Sequence, residues 1–209
     1  MKKLRVLVGC EFSGIVRDAF RALGHDAWSC DLLPCDGDPQ YHRQGDVFKI
    51  LNEPFCGDNN NWDLFIFHWP CTRLCNSGVR WLFGGKGNVR DESRWAMMER
   101  DAQSFKLLLN CGVAHIAGEN PIPHKYAKEI MGDYSQTIQP WQFGHGETKR
   151  TCLWLKNLPS LKPTSIVDGR EQRIWKLPPS ADRWKERSKT FPGIAKAMAE
   201  QWSEYICNL

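Results

Sequence analysis

The chain predicts an α/β fold: a mostly parallel sheet with helices on both faces and a small irregular insertion near its carboxyl end. Short apolar runs alternate with amphipathic stretches along most of the sequence, the pattern of strand–helix–strand units. A length of 209 residues with 42% hydrophobic content suits one good core. An apolar run, Asp63 to Phe67, also delivers a Pro-Cys pair into a polar, Arg-containing loop, which presents a thiol at the carboxyl end of a strand.

The elements follow in order. Leu4 to Gly9 reads as a buried first strand, and Ile15 to Leu23 repeats apolar residues at a helical period before Gly24 stops it. Ala27 to Cys30 is the second strand, and a loop through Pro34 to Gln44 leads to Asp46. Asp63 to Phe67 is the next strand, Glu92 to Leu109 the longest helix, and Val113 to Ala117 a strand that ends in Gly118-Glu119-Asn120-Pro121. Thr151 to Leu155 is a late strand. Pro159, Pro163, Pro178 and Pro179 mark the irregular insertion, and Gly193 to Cys207 is a closing helix. This organisation divides the chain into a catalytic, cofactor-binding part at 1–155, a basic recognition insertion at 156–189, and a helix at 190–209 that completes the catalytic part.

Nine cysteines at irregular spacing, with no apolar leader after Met-Lys-Lys-Leu, point to a reduced, cytoplasmic protein. No apolar run approaches the roughly 18 residues needed to cross a bilayer. Cys71, Cys75, Cys30, Cys35 and His42 have no zinc-ligand spacing, so no metal is expected. The formal charge is +4, but Glu147 to Lys189 holds eleven cations against five anions, a net of +6. That stretch, which contains Arg173 and Arg183, is interleaved with Trp154, Trp175 and Trp184 and suits a polyanion.

Three strand-end loops line up as a cofactor site. Glu11-Phe12-Ser13-Gly14 follows the first strand and opens a helix, so its backbone amides are candidates for a ligand's polar end. Asp31 ends the second strand, where a carboxylate accepts both hydroxyls of a ribose. Asp46, in Gln44-Gly45-Asp46-Val47, is placed to meet an adenine amino group.

With these residues in view, the order of EFSG, CDLLP, QGDVF, DLFIFHWPC, GENP and a terminal FPGIAKAMAEQW resembles the DNA cytosine-5 methyltransferases over nearly the whole chain. The compact size resembles phage- or prophage-borne relatives, whose place is the cytoplasm of a bacterial or infected host cell. The resemblance implies a Rossmann-like, S-adenosylmethionine-dependent fold. In it Glu11, Phe12, Ser13 and Gly14 pack against the cofactor, Asp31 and Leu32 meet the ribose, Asp46 and Val47 meet the adenine, and Pro70 lies beside them. Cys71 matches the family's Pro-Cys nucleophile and Glu119 its Glu-Asn pair. Lys149 and Arg150, in Glu147-Thr148-Lys149-Arg150-Thr151, stand where the family has a Gln-x-Arg-x-Arg element. His68 and Trp69 precede Pro70 where a small residue and proline are usual.

The chemistry needs these residue types. A thiolate adding to carbon 6 of cytosine makes carbon 5 nucleophilic toward a methyl group. A carboxylic acid at ring nitrogen 3 assists, which requires the pKa of Glu119 to be raised by burial, and cations such as Arg73 or Lys149 favour the thiolate. In duplex DNA the cytosine must be flipped out. The segment Arg73 to Ser93 has Arg73, Ser77, Arg80, Lys86 and Arg90 for the backbone and Trp81 or Phe83 for the vacated stack. The short recognition region leaves open RNA, a free cytosine nucleotide, a modified sulfonium donor, or a catalytically silent nucleic-acid-binding module.

Overall fold

The computed structural model describes residues 2–53, 62–84 and 89–209. Seven strands form the sheet: β1 (Arg5–Gly9), β2 (Asp26–Asp31), β3 (His42–Gln44), β4 (Leu64–Phe67), β5 (His115–Pro121), β6 (Gln136–Ile138) and β7 (Thr151–Lys156). Their order is β3-β2-β1-β4-β5-β7-β6. The first five are mutually parallel, while β7 runs antiparallel to both β5 and β6. The fold is therefore mixed α/β with a mostly parallel sheet.

Among the described residues seven α-helices accompany it: α1 (Ile15–Ala22), α2 (Val47–Asn52), α3 (Glu92–Leu109), α4 (Lys125–Met131), α5 (Arg173–Lys176), α6 (Arg183–Ser188) and α7 (Pro192–Cys207). Alternate residues of each strand face opposite sides. Val6 and Val8 of β1, with Leu64 and Ile66 of β4, join a core closed by α1 and α7. Leu7, Phe65 and Phe67 join a second core closed by α2, α3 and α4. A sheet covered on both faces explains why β4, and β1 after Arg5, are apolar. Trp202 of α7 is fully buried, and its indole donates to the Pro159 carbonyl at 3.0 Å, which ties the last helix to the segment after β7.

Strand order reverses between β1 and β4. In sheets of this kind ligands bind beyond the strand ends at that reversal. The backbone there departs from regular extension, since Cys10, directly after β1, has φ 56 and Gly14, just before α1, has φ 71. A side chain on Gly14 would also collide with the Arg17 guanidinium, whose Nη2 lies 2.5 Å from the position of a Cβ.

Several readings shift at their edges. The strand expected over Val113 to Ala117, with Gly118-Glu119-Asn120-Pro121 as its end, begins at His115 and runs through Pro121, because antiparallel β7 pairs with Glu119, Asn120 and Pro121 after β4 has ended. The insertion holds two short helices, α5 and α6. Among the described residues no helix is long and apolar enough to cross a membrane.

Candidate active site

The register of β4 against β5 builds the site. Phe67 pairs with Gly118, so His68 and Glu119 leave the two strands side by side, and His68 Nδ1 lies 3.0 Å from Glu119 Oε2. Their close approach uses Gly118, where a Cβ would sit 2.6 Å from the Phe67 ring and 2.9 Å from that of Phe105. Asn120, fully buried, donates from Nδ2 to the Trp69 carbonyl at 3.0 Å and so fixes the backbone that leads through Pro70 to Cys71.

Cys71 opens a tight turn whose carbonyl accepts from the Leu74 and Cys75 amides. The turn is pinned to the chain beyond β5: the Asn76 amide donates to the Ile122 carbonyl, the His124 amide to Leu74, and His124 Nε2 lies 2.8 Å from the Arg73 carbonyl. Cys71 hydrogen-bonds Cys75. That bond lowers the Cys75 pKa, helped by Ser77, whose Oγ lies 3.1 Å away, and by the Gly78 amide, against the cost of burial. Cys71 is pushed up by that neighbour, by burial and by Glu119, while Lys149 pulls the other way.

Lys149 precedes β7 and acts on both Glu119 and Cys71. Its Nζ donates to the Lys189 carbonyl at 3.0 Å. Burial lowers its pKa, and Glu119 and Cys71 oppose that shift. With Thr151, Thr190 and Phe191 it lines a crevice at Glu119. Arg150 is exposed, and the group it acts on is Cys152.

One expectation is overturned in its electrostatics. Burial does favour a neutral Glu119, but the His68 hydrogen bond and the His68 and Lys149 charges outweigh it and hold the carboxyl below its ordinary value. Glu119 rests as a carboxylate. His68 is correspondingly raised by Glu119 and Glu11, against the cost of its burial.

The first loop also differs from expectation. The leading amides of α1 do not face outward: Glu11 Oε1 accepts from Val16 at 2.6 Å and Oε2 from Arg17 at 3.3 Å, so a buried carboxylate caps the helix. Burial raises the Glu11 pKa against the pull of His68 and those two amides. Glu11, Phe12, Ser13 and His68 line a second crevice with Ser188, Lys189 and Thr190. Phe12 meets Trp184 of α6, with ring centroids 5.8 Å apart. Asp31 is half-buried at the end of β2, its Oδ1 accepts from the Leu33 amide, and burial raises its pKa. Leu32 is exposed and Val47 buried, whereas Asp46 caps α2 by accepting from the Phe48 amide at 2.9 Å. Pro70 is exposed.

The basic residues expected at a polyanion are dispersed. Arg73 pairs with Asp101 at 3.3 Å, Arg90 with Glu92 at 3.2 Å, and Arg173 with Glu147 at 3.0 Å. Arg183 donates to the Trp175 carbonyl, and Ser77 is exposed beside Cys75. Arg80 lies over the Trp81 ring at 4.6 Å. Lys86 lies outside the described residues.

Sequence reasoning missed two contributors: His68, left without a role, and Asn120, whose tie to Trp69 spans 51 positions. The signal for His68 was its place, one residue past an apolar run, as Glu119 is two residues past another.

No protein-family profile and no curated protein matches the chain. A solved structure of a candidate DNA modification methyltransferase encoded within an E. coli prophage is similar at 16% identity and a TM-score of 0.46, over 79% of this chain. The chain spans 52% of the length of that protein.

Proposed function

We propose that the protein transfers a methyl group from S-adenosylmethionine to carbon 5 of cytosine in DNA, through a covalent bond between Cys71 and carbon 6. The observation that carries this reading is one partly buried cluster, Cys71, Glu119 and Lys149, drawn from three chain segments near the β1–β4 reversal. A thiol, a carboxyl group and an ammonium are the groups that this addition needs.

The residues after β1, β2 and β3 fit a cationic sulfonium that bears an adenosine. Glu11, Asp31 and Asp46 supply carboxylates for positive charge and for hydroxyl or amino donors, and Phe12 supplies an apolar wall. When bound, the cofactor would supply an electrophilic methyl group.

The chain's own residues do the rest. Asn120 and the pinned turn hold Cys71 in place. Lys149 favours the thiolate formed as the Cys71 proton passes to Cys75, its hydrogen-bond partner. The sulfur then bonds to carbon 6, and Glu119, once protonated, donates a hydrogen bond to ring nitrogen 3. After transfer the carbon 5 proton passes to water and the carbon–sulfur bond breaks, its electron pair returning to sulfur as the thiolate. DNA is the substrate class favoured by Arg80 and Trp81, Arg90 over Trp95 at 4.1 Å, and exposed Trp175 and Trp184 among cations.

The test is mass measurement of nucleosides from mixed-sequence DNA incubated with S-adenosylmethionine and either wild-type protein or Cys71→Ala. A one-methyl gain in cytidine with wild type alone is the expected outcome. Turnover by the variant would sink the nucleophile assignment, and no gain with either protein would turn attention to RNA, a free nucleotide or another sulfonium donor.

A further inference from the structure

Glu119 presents a difficulty that the site itself resolves. An acid at ring nitrogen 3 must carry a proton, yet His68 and Lys149 hold Glu119 as a carboxylate. The proton is nearby. His68 Nδ1 lies 3.0 Å from Glu119 Oε2, and both side chains are largely buried, at 9% and 16% exposure.

We infer that His68 is a positioning residue that stores the proton Glu119 delivers to ring nitrogen 3, so that the His68–Glu119 pair, and not Glu119 alone, is the acid of the site. This rests on the proposed cytosine reaction. In balanced form, imidazolium and carboxylate become imidazole and carboxylic acid as the Nδ1 proton moves to Glu119. The carboxylic acid then gives that proton to nitrogen 3 as the carbon 6–sulfur bond forms. When the carbon–sulfur bond breaks, nitrogen 3 returns the proton to Glu119 and thence to His68.

Three observations make the transfer a near-balanced one. The register of β4 and β5 fixes the two groups opposite each other, so no side-chain search precedes it. His68 Nε2 is buried without a hydrogen-bond partner among the described residues, and an unpaired buried N–H disfavours the imidazolium form. Lys149 stays beside Glu119 and repels the His68 charge, which also helps the proton to leave His68. Glu11, from the loop after β1, pulls in the opposite direction. Lys189, from the stretch between α6 and α7, lines the same crevice. His68 thus sits between two carboxylates and near the Lys149 ammonium, with Asp31 of β2 feeling its charge, while the Lys189 ammonium is held by Glu186 and Asp36.

The sign of the pH dependence follows. The His68 pKa is raised above its ordinary 6.5, so the loaded pair is present below that raised value and is lost as pH rises through it. Methylation by the wild type should fall through the same midpoint. In His68→Asn the limb should vanish, and the rate on its acid side should drop roughly 100-fold. His68→Gln serves as a second variant, and thermal unfolding checks that both fold.

An independent readout is NMR titration of the histidine rings in the full chain, with the His68 signal assigned by its loss in His68→Asn. The expected midpoint is above that of an ordinary histidine and falls in Glu119→Gln. A His68 midpoint insensitive to Glu119→Gln, or variants that slow methylation evenly while keeping the wild-type pH limb, would overturn the inference. A wild type that makes no methylcytosine while its titration behaves as expected would locate the failure in the proposed reaction and not in the pair.

Discussion

At the strand ends Glu11, His68, Glu119 and Lys149 are largely withdrawn from water and each shifts its neighbours, whereas Arg80, Arg90 and Arg94 lie over Trp81 and Trp95 on a wetted surface. The same kinds of charge do different things in the two places. Without water to screen it, a buried charge depends on its partners, and loss of one leaves another uncompensated. At the surface water and salt replace any single partner, so an exposed pair is worth little, on the order of 0–1 kcal/mol. The first region suits the proposed chemistry, and the second suits contact with a long polyanion.

That contrast can be pressed by substitution. Glu119→Gln removes the charge on which His68 and Lys149 both depend, and methylation should fall by roughly 10²- to 10⁴-fold, read as single-turnover rate on cytosine DNA. A loss of only a few-fold would show that the buried cluster is no more tightly coupled than the surface. Gly118→Ala acts beneath the same cluster without altering a charge. Its Cβ would meet Phe67 and Phe105 inside 3 Å, and overpacking of this kind costs about 1–3 kcal/mol, measurable as a lowered denaturant midpoint. Unchanged stability would mean the aromatic pair yields easily. Arg80→Ala tests the outer surface. Its expected effect is the smallest, a few-fold weaker DNA binding at low salt and a salt slope reduced by about one unit. A thousandfold loss would mean Arg80 belongs to a desolvated contact and the division drawn above is wrong.

Legibility in the sequence tracked the same division between local and distant causes. Helix α3 was readable to both ends because Asp91 caps it, accepting from the Arg94 amide, and because its apolar stripe is long. The strands β1, β2, β4 and β7 were found within one or two residues, since apolar runs with turn residues at their ends are local signals. The three-residue strands β3 and β6 were not, because so short a segment becomes a strand only through its neighbours. Cys71 and Glu119 were singled out by residue type and surroundings, and the structure brings both to one group of charges. The His68–Glu119 contact was not: it joins positions 51 apart and exists only through the register of β4 on β5. Glu11 was legible as a strand-end acid, but its use as the cap of α1 depends on the left-handed turn at Gly14.

The placement of α7 has a consequence for how the chain is made. The helix covers the face of the sheet to which Val6, Val8, Leu64 and Ile66 belong, and Cys207 Sγ donates to the carbonyl of Lys2. A nascent polypeptide therefore forms most of its sheet while the part of that apolar side that α1 does not cover stays bare until residues 192–207 are made. Pairing of the earliest strand with the last helix demands a contact across nearly the full length of the chain, the kind that slows folding and lengthens exposure to aggregation.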